Sequence, residues 1–333
     1  MLQVVWGWQP ALYLFLGGMG AGTFVMAAVL YLIDRTSHAR IICVSQWASA
    51  ISLGAGLLLL LLELTQPMRG LMMWQSFSHF TSWMTYGAWG AFSAIAVFGI
   101  SAVLATKPLV TWLFRMLRRN SGDETAELGD VMGAHVLVLA RTILAVVGIG
   151  LGLFVAVYTG MLLMMAPGVP LWNTPLLPCL FAVSGLDTGV AFVEIVAVLL
   201  SRKEALTLRA RTLMEGLVVV LVVVECVVLG LLLYGMLCGG DGSAASATAA
   251  RSADLLTSGI LSPYFWGMVV ACGLALPLLM AIVGLAMRKR HVSALMILGA
   301  AGALIGGCEL RFLMLAAGLH ADLVTETVLS MIS

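Results

Sequence analysis

The chain has 333 residues, 62% of them hydrophobic and 10% charged, with a mean hydropathy of +1.08. A soluble globule of this length needs far more polar surface than that, and a net charge of +1 argues against nucleic acid as a partner. The composition belongs to a protein whose solvent is the lipid bilayer.

Eight apolar runs, at 11–33, 41–64, 83–106, 143–165, 177–200, 212–237, 262–287 and 292–318, each predict a transmembrane helix. About 20 apolar residues rising ~1.5 Å each suffice to cross a ~30 Å hydrocarbon core. The first run carries Gly17-Gly18-Met19-Gly20-Ala21-Gly22, a surface that lets another helix approach closely. Residues 1–10 carry no Lys or Arg and do not read as a cleaved signal peptide. Run two ends at Glu63 and is followed by Gln66, Pro67 and Arg69. After run three, the stretch 107–142 interleaves Val110, Trp112, Leu113, Met116 and Leu117 with Arg115, Arg118 and Arg119, the pattern of a short amphipathic helix in the membrane interface. Run four places Tyr158 near its far end. Run five carries Asp187 near its middle and Glu194 seven residues later on the same helical face. Run six holds Glu215 and Glu225. The small, polar stretch 238–261 follows, with helix expected from about Ala249. Run eight contains Glu309 and Arg311, which sit two positions apart and so face different ways.

The basic residues orient this thread. Fourteen of the 17 Lys and Arg fall in the gaps after runs one, three, five and seven, whereas the other gaps hold only Arg69 and Arg251. Positive charge resists translocation, so the basic gaps are expected in the cytoplasm and both termini outside. The expected fold class is therefore an all-α integral membrane protein, with eight transmembrane helices in two packed bundles and both termini extracytoplasmic.

The six cysteines are scattered without a C-x-x-C pair, and no histidine lies deep in a run. Neither an iron–sulfur cluster nor a b-type haem, which needs two imidazoles facing each other, is expected in this chain, and no metal site is assigned. Ionisable groups in the bilayer cost roughly 3 kcal/mol or more unless paired or hydrated, which makes each a functional candidate. Glu63, Arg69, Glu309 and Arg311 lie close enough to the outer surface to snorkel. Asp187 is too short to do so and is assigned to proton movement.

Several segments carry a resemblance: YLFLGGMGAG (13–22), ELTQPMRG (63–70), TSWMTYGAWG (81–90), YTGMLLMMAPGVPLWNTPLLPCLFAVSGLDTG (158–189) and GGCELRFLMLAAG (306–318). Together they resemble the NrfD-type, polysulfide-reductase-like family of membrane subunits of complex iron–sulfur molybdoenzymes. Thr65-Gln66 departs from the Gly-Arg expected there. The resemblance implies a haem-free, quinone-reactive anchor in a bacterial or archaeal cytoplasmic membrane. It would bind menaquinone or ubiquinone near its outer side, with a ferredoxin-like iron–sulfur subunit and a molybdopterin catalytic subunit as partners in anaerobic respiration. On that reading Glu63 takes a proton and Arg69 stabilises a developing quinol anion. Gln9, His79, Tyr158 and Asn173 hold the head group, and Trp83 and Trp172 form its walls. The outer loops 65–82, 166–176 and 238–261 would face the partner. The competing reading is a secondary transporter or ion channel that uses Asp187, Glu194 and Glu225 as a relay with no redox partner.

Overall fold

A computed structural model describes residues 7–63, 83–112, 126–166, 168–240, 243–287 and 293–320. Every regular element among them is helical, and eight helices are long and apolar enough to cross a membrane. They are α1 (Trp8–Ile33), α2 (Ala39–Glu63), α3 (Trp83–Ala105), α4 (Ala126–Met164), α5 (Leu176–Leu199), α6 (Leu208–Cys238), α8 (Ser262–Ala286) and α9 (Ser293–Ala316). A further helix, α7 (Ala244–Thr257), lies in the connection between α6 and α8.

Local chemistry sets the ends. Beyond α1 the backbone turns extended at Asp34, whose carboxylate accepts hydrogen bonds from the Thr36 and Ser37 amides, both at 3.1 Å. The Ser37 hydroxyl, together with these amide bonds, holds the Asp34 carboxyl below the usual carboxylate range. Thr207 caps α6 by accepting from the Ala210 amide at 3.3 Å, and Ser243 caps α7 by accepting from the Ser246 amide at 3.1 Å. The amide of Thr207 donates to Nε2 of the buried His38 at 3.1 Å, and the Arg40 amide donates to Glu204 Oε2 at 2.7 Å. Together these bonds tie the α1–α2 turn to the α5–α6 turn.

Two elements run further than their hydropathy. Helix α4 begins at Ala126, not at 143, so its 39 residues span roughly 58 Å, about twice the hydrocarbon thickness. The apolar run starts at 143, and backbone hydrogen bonding carries the helix beyond it toward Ala126. Helix α7 likewise starts at Ala244, five residues before the expected Ala249, because Ser243 supplies the cap. Residues 107–112 are helical, with Trp112 exposed and Val110 buried.

Helix α8 is not regular. Phe265–Ala275 winds as a π-helix and returns to α-helix at Leu276. Pro277 has no amide hydrogen to donate back into that segment, which favours the wider winding just before it.

Helices α1–α4 pack as one bundle, and α5, α6, α8 and α9 as a second. The two meet along α1 and α5, where glycine replaces side chain on both surfaces. A Cβ built on Gly22 would strike the Gly185 carbonyl, and one on Gly189 would strike the Gly22 backbone. Inside the first bundle Phe24 and Phe98 stack at 4.0 Å between centroids, and Gly148 makes room for the Phe24 ring.

Candidate functional site

Helix α5 carries the polar interior. Ser184, Asp187 and Glu194 recur at helical spacing, and all three are buried. Thr188 on the same helix is satisfied locally, donating to the carbonyls of Ser184 (2.9 Å) and Gly185 (3.1 Å).

Opposite Ser184 lies Arg311 of α9, which is 0% exposed. It does not snorkel, in contrast to the sequence expectation, because its helix turns that face onto α5. Nη1 donates to Ser184 Oγ at 2.6 Å and to the Gly307 carbonyl at 2.7 Å, and Nη2 donates to the Phe181 carbonyl at 3.2 Å. The guanidinium carbon lies 5.1 Å from the centre of the Phe181 ring. Glycines at 18 and 307 border the guanidinium, and a Cβ at 307 would strike the Thr188 methyl. Glu309, two positions away, turns elsewhere and is only half-buried.

Asp187 (α5) and Glu225 (α6) lie within electrostatic reach of Arg311, and Ser184 is close enough to Glu225 to hydrogen-bond its carboxyl. Asp187 Oδ1 has no hydrogen-bond partner among the described residues, nor does Arg311 Nε. A tight crevice lies beside them, lined by Ser184, Asp187, Glu225, the π-helical segment of α8 and the Gly306-Gly307 pair. The two carboxyls thus meet the single guanidinium through space and through Ser184, with no direct ion pair to Arg311 among the described residues.

A second cluster sits further along α5 and α6, toward the basic connections. Arg211 Nε donates to Glu215 Oε1 at 2.8 Å in an i,i+4 pair, and Glu194 lines the same small cleft, about 20 Å³. Gly284 of α8 is what allows the Glu215 carboxylate to lie against that helix.

At the opposite end of the first bundle, α1, α3 and α4 bring aromatic groups together. The Tyr158 hydroxyl donates to the Trp83 carbonyl across a long 3.4 Å, and the Tyr158 ring stacks on Phe154 at 5.9 Å. Gly87 is the position that admits the Tyr158 ring, and the buried Tyr13 is its electrostatic neighbour. Trp83 is 53% exposed, and Gln9 on α1 is half-buried.

Trp172 is fully buried, donates from Nε1 to the Met314 carbonyl at 2.7 Å and packs on Gly318. It fastens the α4–α5 turn to the end of α9. Asn173 beside it is exposed. Glu63 is the last residue of α2, but its side chain, like Arg69 and His79, lies outside the described residues. The structure therefore joins Trp83 to Tyr158 and leaves Asp187 in the second bundle, across the α1–α5 seam. Arg311 is the interior group that hydropathy does not reveal; its neighbour Gly307 and the small-residue face around it are the available signal.

The sequence matches the family described as polysulphide reductase, NrfD, over residues 1–321. The chain belongs to this family. It is 32% identical over 324 residues to one of the named chains of the polysulfide reductase of Wolinella succinogenes, covering 95% of this protein and 94% of that one. It is 28% identical over 331 residues to Protein NrfD of Escherichia coli K12, covering 95% of each. The eight-span, all-helical architecture thus sits in a membrane-protein family whose members match it end to end, consistent with a membrane subunit of an oxidoreductase complex.

Proposed function

We propose that this chain is the quinone-reactive membrane anchor of a multi-subunit respiratory oxidoreductase in a bacterial or archaeal cytoplasmic membrane, with both termini and the outer loops extracytoplasmic. It exchanges electrons between a quinone pool and a ferredoxin-like iron–sulfur subunit, which in turn serves a molybdopterin catalytic subunit. The observation that carries this reading is the end-to-end match to a protein named as one constituent of a polysulfide reductase. An anchor of that kind needs groups that move protons beside a site for the quinone head, while the redox centres reside on partners.

The residues fit a quinone head group at the outer ends of α1–α4. Among the described residues Tyr158 makes one long hydrogen bond, to a backbone carbonyl, so its hydroxyl can turn to a better acceptor. Trp83, whose backbone carbonyl accepts that bond, keeps a half-exposed side chain that packs on Tyr86. Glu63, at the end of α2, is assigned as proton acceptor, and Arg69, six residues on, as the cation that stabilises developing negative charge. Gln9, His79 and Asn173 are assigned to the head group and the rim. A bound quinone supplies the two-electron, two-proton exchange; the chain supplies its orientation and its protons.

The buried acids Asp187, Glu194 and Glu225 would also suit a transporter without a redox partner. Purification under mild detergent separates the two readings. Recovery with an iron–sulfur subunit, together with quinol-dependent reduction of that subunit that Glu63→Gln abolishes, is the expected result. A chain that purifies alone and catalyses ion exchange would overturn it.

A further inference from the structure

The cleft between the second halves of α5 and α8 and the first halves of α6 and α9 lies apart from the proposed head-group site, yet it holds two buried carboxylates. Glu194 is 5% exposed and Glu215 3%. Glu215 is matched by Arg211 at 2.8 Å. Glu194 has no hydrogen bond or ion pair among the described residues, and it is aimed into the cleft. The other walls add no charge: α8 contributes Pro277, Met280, Ala281 and Gly284, and α9 contributes leucine, methionine, glycine and alanine. With every group ionised, the described side chains that face this cleft sum to one uncompensated negative charge.

An unpaired carboxylate held in so apolar a setting costs several kcal/mol, so the cluster is complete only when one positive charge is added. We propose that Glu194 is a binding site for a single proton, loaded from the side of the membrane that carries the basic connections. A monovalent metal ion is the other source of that charge. Sodium calls for a shell of several oxygens, and the only side-chain oxygens in the cleft are those of two carboxylates, one of them already engaged by Arg211. A proton needs only the Glu194 oxygen. The same charge count recurs one step along α5, where Asp187 and Glu225 share Arg311, so a proton leaving Glu194 finds a second site short of one positive charge. Asp187 is seven residues, or ~10 Å, away on the same face.

The test is carbodiimide labelling of the purified complex in lipid, because hydrophobic carbodiimides add to protonated buried carboxyls. The adduct is located by peptide mass spectrometry. Glu194 should be labelled in mildly acidic buffer and progressively less as pH is raised. Excess sodium at fixed pH should not protect it, and the adduct should vanish in Glu194→Gln. Absence of a Glu194 adduct at every pH would overturn the site. An adduct suppressed by sodium would overturn the proton as its occupant. Inner-side proton uptake measured in vesicles on the same Glu194→Gln variant should fall while the assembled complex is recovered in full; unchanged uptake overturns the proposal as well. Labelling needs no quinone turnover, so this inference and the quinone assignment fail separately.

Discussion

Removing Arg311 should be among the most damaging single substitutions in the chain. The guanidinium makes three hydrogen bonds, at 2.6, 2.7 and 3.2 Å, and is 0% exposed. Hydrogen bonds to a charged group contribute roughly 1.5–3 kcal/mol each, though not additively. Truncation also leaves Asp187 and Glu225 without their neighbouring cation. Breaking a buried charge arrangement by deleting one partner costs about 3–5 kcal/mol, and that range is the expected loss for Arg311→Ala. Arg311→Met fills most of the volume, so a similar loss there assigns the effect to charge and hydrogen bonding and not to a cavity. Arg311→Lys keeps the charge but gathers its donors on one nitrogen, which cannot span Ser184, Gly307 and Phe181; an intermediate loss follows. The assay is thermal unfolding of the purified complex in detergent, with Glu225→Gln combined with Arg311→Met as a double-mutant cycle. If the guanidinium offsets the carboxylate, the double variant should lose less than the sum of the singles. An Arg311→Met protein as stable as wild type, with additive behaviour in the cycle, would refute this account of the interior.

Substituting Glu63→Gln should lower electron transfer to quinone by about 10²-fold with assembly intact, and Arg69→Ala should raise the quinone concentration needed for half-maximal turnover; normal kinetics in both place the site elsewhere. Asp187→Asn preserves hydrogen bonding but cannot pass a proton, so proton stoichiometry in liposomes should fall with complex recovery unchanged, whereas unaltered turnover and stoichiometry would leave Asp187 structural. Gly189→Ala places a methyl against the Gly22 backbone and should cost on the order of 1–3 kcal/mol, read as a lowered melting temperature. Reporter fusions at both ends should report the extracytoplasmic side, and a cytoplasmic carboxyl terminus would invert every loop assignment.

The membrane spans are legible in the sequence because each stands alone: a run of apolar residues of sufficient length predicts a crossing without reference to its neighbours. Arg311 is not legible for the opposite reason. Its distance from the end of a run suggests snorkelling, but its fate depends on which face of α9 meets α5, and that is a matter of helix packing that no single run records. Trp172 illustrates the same limit. The residue type suits a wall of a ligand site, while its indole nitrogen is committed to a carbonyl 142 positions away. Asp187 and Glu194 can be placed on one face by counting, yet their grouping with Glu225 on one side and with Glu215 and Arg211 on the other requires the packing of α6. The start of α4 escapes because hydropathy marks where lipid ends, not where backbone hydrogen bonding ends.

The bare glycine seam between α1 and α5 bears on how the molecule can move. Backbone resting on backbone has no rotamers to exchange, so that seam has one seating and no neighbouring notch to slip into. The aromatic cluster hangs from one side of this joint and the buried carboxylates from the other. Sliding of one bundle against the other is therefore opposed at this seam, and the aromatic cluster and the buried carboxylates keep their spacing across it like two marks on a single ruler.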